Sequence, residues 1–306
     1  MTNLNKKHGH IALFVANVIF GINTPITRTI VPEVLDPFVM TFFRMMGAAI
    51  LFWAISPFTK KEKVPPRDIM LFFFASLFAI VLNQTSFIYG LSKTSPIDAS
   101  LVVTLLPIVT MLLSAIIIKE PITWLKAVGV LTGASGAIIL VLNSNNESSS
   151  GSMIGNLIVL GSVTSFALYL TLFKDLISRY SPLTAMKWMF LFAALLTFPM
   201  SFNLLTSTDI SQFDTSVYLR IGYVVILATF LTYMLIPIGQ KTIRPTTISM
   251  YNYLQPVMAS ILAIIIGLDK FGPDKIISAA LVFMGVYIVT QSKSKADLEL
   301  AKTGER

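Results

Sequence analysis

The chain has 306 residues, 55% hydrophobic and 12% charged, with a net charge of +8 and no cysteine. Soluble domains carry about 25% charged residues, so this chain has too little polar surface to face water over such a length. The missing cysteines exclude disulfides, thiol catalysis and cysteine metal sites. The basic residues are scattered between apolar runs and are not gathered on one face, which argues for membrane orientation and against nucleic acid as a partner.

A spanning helix takes about 20 mostly apolar residues. The first such run covers 10–30. It follows the basic start MTNLNKKHGH but lacks a small-residue cleavage site, so it is read as a span and not a removed signal peptide. Asn17, Gly21, Thr24 and Arg28 share one helical stripe on it, and Asn23 lies beside them. His8 and His10 lie at its cytoplasmic N-terminus and are expected to be exposed and inert. The second run, 38–57, carries Arg44 about 10 Å past Pro37. A guanidinium that deep needs a carbonyl, a helix C-terminus or an anionic substrate group as partner. The third, 69–90, offers the adjacent amides Asn83 and Gln84. The fourth, 96–118, has Pro107 at mid-length and stops on Glu120; the fifth covers 123–142.

Five further runs follow, at 153–173, 183–202, 217–239, 246–267 and 274–291. They bring Tyr169 and Trp188, then Tyr233, then Tyr251, Asn252 and Gln255 around Pro256, with Asp269 closing the ninth. Aromatic walls with a few amides and hydroxyls suit a small amphipathic solute such as an amino acid, while interhelical hydrogen bonding is the plainer role for each polar residue alone. The connections are short, so no extramembrane domain is available for an independent activity. Of the 23 Lys and Arg residues, 17 fall on the side of both termini, 5 on the other and Arg44 within a span. The positive-inside rule then puts both termini in the cytoplasm.

At a constant offset of 149, Pro96 pairs with Pro245, Ser100 with Ser249, Leu105 with Leu254, Pro107 with Pro256, Leu113 with Leu262, Glu120 with Asp269 and Gly136 with Gly285. Each copy has an odd number of spans, so the second enters the membrane from the opposite side. The expected fold is all-α and integral to the membrane, with ten transmembrane helices as two inverted five-helix repeats. The first repeat is 1–142, a polar linker 143–152, the second repeat 153–291 and a cytoplasmic tail 292–306. Inverted repeats recur in secondary transporters, with substrate near the midplane. Pro107 and Pro256 are expected to kink equivalent helices at mid-depth and to support gating, and Glu120 and Asp269 to mark opposite membrane boundaries.

Phe20-Gly21-Ile22-Asn23, Arg44-Met45-Met46-Gly47-Ala48, Tyr89-Gly90-Leu91, and Gly129 with Gly136 beyond a mid-helix proline and terminal acid carry a resemblance. Jointly they resemble the EamA-type transporters of the drug/metabolite transporter superfamily, over essentially the whole chain. Phe20 stands where Trp is more usual, and Ser278 replaces the first glycine in the second copy. The resemblance implies a ten-helix secondary transporter of small metabolites in the plasma (inner) membrane, commonly an exporter of amino acids or related compounds. Efflux of hydrophobic or cationic drugs wants a buried acid, and none lies mid-span. Lipid translocation needs a polar groove that overlaps with a solute pathway. An enzyme would need clustered His, Asp, Glu or Cys at one depth, and no such cluster, metal set, cofactor motif or phosphate-cradling loop is present. A coupling proton, a counter-substrate and passive facilitation all stay open.

Overall fold

The computed structural model describes residues 6–31, 34–91, 93, 99, 102–142, 153–208, 213–265 and 272–292. Among them the regular structure is entirely helical. The helices are α1 (Lys6–Arg28), α2 (Pro37–Ile55), α3 (Pro66–Gly90), α4 (Leu106–Ile117) and α5 (Trp124–Leu142). In the second half come α6 (Met153–Leu172), α7 (Pro182–Thr206), α8 (Thr215–Thr242), α9 (245–265) and α10 (Pro273–Gln291). A short helix, Lys174–Arg179, joins α6 to α7. Six of these are long and apolar enough to cross a membrane, namely α1, α2, α3, α6, α7 and α8, and shorter apolar helices accompany them. Large apolar side chains also face outward along the bundle, among them Ile116, Ile265 and Leu219 at 74%, 73% and 70% exposure. Water would oppose such a surface and hydrocarbon accepts it.

Prolines set five of the ten numbered helix starts. Pro37, Pro66, Pro182, Pro245 and Pro273 each open a helix, where the missing N–H has no intrahelical partner to lose. Asp36 and Ser181 complete two of these starts by accepting from the backbone N–H of Phe38 and Thr184.

Two departures from regular α geometry occur in α3 and α8. Leu77–Leu82 and Tyr223–Leu231 are π-helical, and the offset of 149 superposes the first stretch on 226–231 of the second. A π turn spares backbone carbonyls from the usual ladder, and side chains use them. Ser165 donates to the Phe78 carbonyl at 2.7 Å, and Thr229 donates to the carbonyl of Val224, five residues back, at 2.7 Å.

The expected kinks at Pro107 and Pro256 are helix breaks. Thr104–Leu105 form a turn, and α4 starts afresh with Pro107 at its second position. In α9 the 3-10 turn Tyr251–Tyr253 divides Pro245–Met250 from Leu254–Ile265, with Pro256 third in the new segment. Proline therefore sits where its absent N–H costs least. The two breaks touch: the Tyr253 hydroxyl donates to the Thr104 carbonyl at 2.9 Å, and these two residues are equivalent at the offset of 149.

The helix pairings exchange between the halves. α1 packs on α8 and α9, as α6 packs on α3 and α4; α2 packs on α8, as α7 packs on α3; and α2–α7 and α5–α10 pair across. The α5–α10 crossing is closest. A Cβ added to Gly285 would stand 2.5 Å from the Gly133 nitrogen and 2.7 Å from the Gly129 carbonyl oxygen, and one on Gly136 2.7 Å from the Ser278 carbonyl oxygen. Close backbone approach is how small residues join helices without a hydrophobic drive between them. Gly285→Ala should lower the thermal unfolding temperature of the detergent-purified protein, by an overpacking cost of about 1–3 kcal/mol. Gly161→Ala, into open space, should leave stability unchanged or raise it.

Candidate functional site

Arg44 on α2 is a buried charge in mid-helix, 8% exposed. Its Nε donates to the Thr229 hydroxyl at 3.0 Å and an Nη to the Gln84 side-chain oxygen at 3.3 Å. Both partners come from the helices with π-helical stretches, and the π turn is what presents Thr229 to α2. Gln84 is linked to Asn83 at 3.5 Å, and Asn83 donates to the carbonyl and hydroxyl of Ser162 at 3.1 and 3.0 Å. Tyr233 lies within reach of both Arg44 and Gln84. Gln84 and Tyr233 are equivalent in the repeat, whereas the counterpart of Arg44 is Ala193. One repeat alone carries the charge. Among the described residues no carboxylate lies within ion-pair distance of Arg44, so the guanidinium is held by neutral oxygens and keeps donors to spare.

A second polar group follows on α1, α9 and α8. Gln255 donates to the side-chain oxygens of Asn17 and Asn252 at 2.9 and 2.8 Å, and Asn17 donates back to the Leu13 carbonyl. His10 meets the Tyr251 hydroxyl at 2.7 Å, which corrects the expectation of an exposed, inert histidine. Tyr169 donates to Gln240 at 2.9 Å, while the Gln240 amide nitrogen is buried with no partner. An aromatic cluster joins α2, α7 and α8 beside Tyr233. Phe52 lies 5.3 Å from Phe190 and 4.6 Å from Phe230, and Phe190 meets Tyr233 edge-on at 4.9 Å, ring centre to ring centre.

Glu120 has a larger role than marking a helix end. Lys119 takes a left-handed backbone, φ 53°, and the Glu120 N–H returns to the Ser114 carbonyl at 3.0 Å, closing α4. That turn aims the Glu120 carboxylate into the bundle, where Lys126 donates at 2.8 Å with both side chains at most 5% exposed. Arg244, opening α9, approaches at 3.7 Å, and Thr246 donates at 3.4 Å. Arg244 also donates to the Ser292 carbonyl at 2.7 Å. One carboxylate thus ties α4 and α5 of the first half to α9 and the end of α10. Asp68 makes a parallel tie at this end, paired with Arg179 at 3.1 Å and accepting from the Tyr180 hydroxyl. Trp188 falls elsewhere, packed against Trp53 and Phe192 and away from the Arg44 group. Asn23 accepts from Thr27, one turn on. Asp269 lies outside the described residues, as do the linker 143–152 and the tail beyond 292.

The family model for EamA-like transporters matches residues 7–142 and again 153–291. The chain belongs to the EamA-like transporter family. An uncharacterized transporter of Archaeoglobus fulgidus is 24% identical over 261 residues, 85% of this chain and 90% of its own length. The WAT1-related protein At3g53210 of Arabidopsis thaliana is 23% identical over 319 residues, 93% of this chain and 86% of its own. The uncharacterized transporter YetK of Bacillus subtilis is 21% identical, covering 96% of this chain and 90% of itself. A crystal structure with 16% sequence identity covers 99% of this chain and 100% of its own at a TM-score of 0.79, a likeness that concerns the fold. This EamA-family chain is an integral membrane protein whose relatives are named transporters.

Sequence reasoning on this EamA-family chain missed Lys126, Arg244, Ser162 and His10. A signal existed for the first: the offset that pairs Glu120 with Asp269 also pairs Lys126 with Lys275. For Arg244, Ser162 and His10 no local pattern was available, because each meets a partner more than 40 residues away.

Proposed function

We propose that this EamA-family chain is a ten-helix secondary transporter of two inverted repeats, 1–142 and 153–291, in the plasma (inner) membrane with both termini cytoplasmic. Its substrate is a small amphipathic metabolite that carries an anionic group, with amino acids and related compounds the leading class and export the leading direction. The observation that carries this reading is Arg44, buried, held by neutral oxygens, with no carboxylate beside it among the described residues. A buried cation in that state favours an anion from the substrate. Asn83, Gln84 and Tyr233 would line that pocket, and Asn17, Tyr169, Tyr251, Asn252 and Gln255 the pathway towards the cytoplasm.

The exchanged helix pairings and the broken helices α4 and α9 support the inverted repeat and a site at the breaks, since discontinuous helices are where such transporters bind. The Glu120 tie and the aromatic cluster lie on the cytoplasmic side of Arg44, consistent with a pathway closed at that end. Alternating access then requires the tie to part and a matching closure to form at the other end. Efflux of hydrophobic cations is the second reading, and Arg44 opposes it by like-charge repulsion. No enzymatic step is assigned.

A thermal-shift screen of the detergent-purified protein with amino acids, nucleosides, sugar phosphates and hydrophobic cations tests the proposal. A ligand at 100 times its dissociation constant stabilises by about 2.7 kcal/mol. Shifts from zwitterionic amino acids or other carboxylates, lost in Arg44→Lys, are expected. Shifts from cations alone would replace this reading with efflux.

A further inference from the structure

At the lysine-rich end, outside the Arg44 pathway, the end of α2, the connection 56–62 after it and the first turns of α7 line an open pocket of about 350 Å³. Lys60, Lys61 and Lys187 converge on it, with the Ser56 and Thr59 hydroxyls between them. None of these lysines forms an ion pair among the described residues. Lys187 reaches only the Ser56 hydroxyl, at 3.0 Å, and the face of Trp53, 5.2 Å from the ring centre. The one acid in the wall, Glu62, is committed elsewhere, since its oxygens accept from the N–H and hydroxyl of Ser181 at 3.0 and 2.9 Å. Burial raises its proton affinity, but the hydrogen bonds from Thr184 and Ser181 outweigh that and hold the carboxyl below its usual range. The pocket therefore keeps three cations against one satisfied carboxylate.

A second, apolar groove of about 360 Å³ lies on α3 and α7, walled by Pro66, Ile69, Met70, Phe73, Phe74 and Phe192. An aromatic ladder joins the two. Trp53 meets Trp188 edge-on at 5.3 Å, Trp188 stacks on Phe192 at 6.2 Å, and Phe192 meets Phe73 at 5.5 Å. Phe192 is five residues past Lys187, about 7.5 Å deeper along the helix. The cationic pocket thus lies nearer the membrane surface and the apolar groove deeper and further round α7, with the Trp53–Trp188–Phe192 ladder running between them.

A phosphate on a long acyl tail matches both halves. We propose that this paired cavity binds an anionic phospholipid of the adjacent leaflet, with the phosphate among Lys60, Lys61 and Lys187 and an acyl chain against Phe73, Phe74 and Phe192. Each lysine near an anionic headgroup favours binding by about five-fold, so the three together supply about 100-fold.

Bromine on an acyl chain quenches nearby indoles, which gives a direct readout. Trp124 is 83% exposed and would be quenched by any lipid, so the test uses the full chain with Trp124→Phe, leaving Trp53 and Trp188. In mixed micelles, brominated phosphatidylglycerol should reach half-maximal quenching at a mole fraction about 100-fold below that of brominated phosphatidylcholine. The variant Lys60→Gln/Lys61→Gln/Lys187→Gln should bring the two curves together. Lys60 and Lys61 are exposed, so Lys60→Gln/Lys61→Gln is the control against misfolding and should recover most of that convergence. Equal quenching by both lipids, or a preference that survives the lysine changes, overturns the proposal. Inorganic phosphate that displaces the brominated lipid below millimolar concentration, with dihexanoyl phosphatidylglycerol binding as well as the long-chain lipid, would make this a free-phosphate site and also overturn it.

Discussion

Arg44→Lys is expected to abolish most substrate transport in proteoliposomes while leaving the amount of folded protein and its thermal unfolding temperature nearly unchanged. Lysine keeps the buried charge, so no new unpaired cation is created. It cannot reproduce the planar fork that reaches Thr229 at 3.0 Å and Gln84 at 3.3 Å and still offers further N–H donors to a bound anion. Hydrogen bonds to charged groups are worth about 1.5–3 kcal/mol, so losing them to the substrate costs about 10- to 150-fold in affinity. Arg44→Leu should lose the anion as well, with stability kept or raised because a charge has left the interior. Equal losses of folded protein and transport in Arg44→Lys would make Arg44 a structural anchor between α2, α3 and α8.

Glu120→Gln is expected to be strongly destabilising, by about 3–5 kcal/mol, because it leaves the buried Lys126 ammonium without a counter-ion, held by the Pro121 carbonyl at 2.7 Å. The amide also weakens the approach of Arg244 at 3.7 Å and with it the link from α9 to the end of α10. The double change Glu120→Gln/Lys126→Met should recover much of the loss, since removing a buried pair is often neutral where breaking it is not. Thermal unfolding of the four proteins in one detergent closes the double-mutant cycle. A near-zero coupling energy would mean that the 2.8 Å pair adds nothing to the closure of this end. If the pair does hold the end closed, the double variant should also change transport rate while its stability is restored.

The outlines of the helices were legible because a bilayer imposes a length of apolar chain and forces the polar residues between them into short connections. The apolar runs beginning at 38, 69, 183, 246 and 274 agree to within three residues with helices that open at Pro37, Pro66, Pro182, Pro245 and Pro273. The reading of Pro107 and Pro256 as mid-helix kinks stopped short, because a sequence does not state whether a proline bends a helix or opens a new one. The turn before Pro107 and the 3-10 turn before Pro256 decide that, and they depend on the Tyr253–Thr104 contact across 149 residues.

Arg44, Gln84 and Tyr233 could be named from sequence since polar residues inside apolar runs are few. Their meeting could not, because it requires the π turn that carries Thr229 towards α2, a backbone choice with no signature in residue type. Trp188 illustrates the reverse, a plausible pathway aromatic by composition that the fold directs to Trp53 and Phe192. The sequence by itself determined that this is a helical membrane protein of the EamA family, since hydropathy and the transporter motifs are written along the chain in local segments. Which carboxylate meets which lysine, which carbonyls the helices release and where the cationic pocket lies were decided only by tertiary structure. Glu120 and Lys126 are only six positions apart, but the left-handed turn at Lys119 has to aim the carboxylate inward, and Arg44–Gln84 and His10–Tyr251 join residues 40 and 241 positions apart that only helix packing brings within hydrogen-bonding distance.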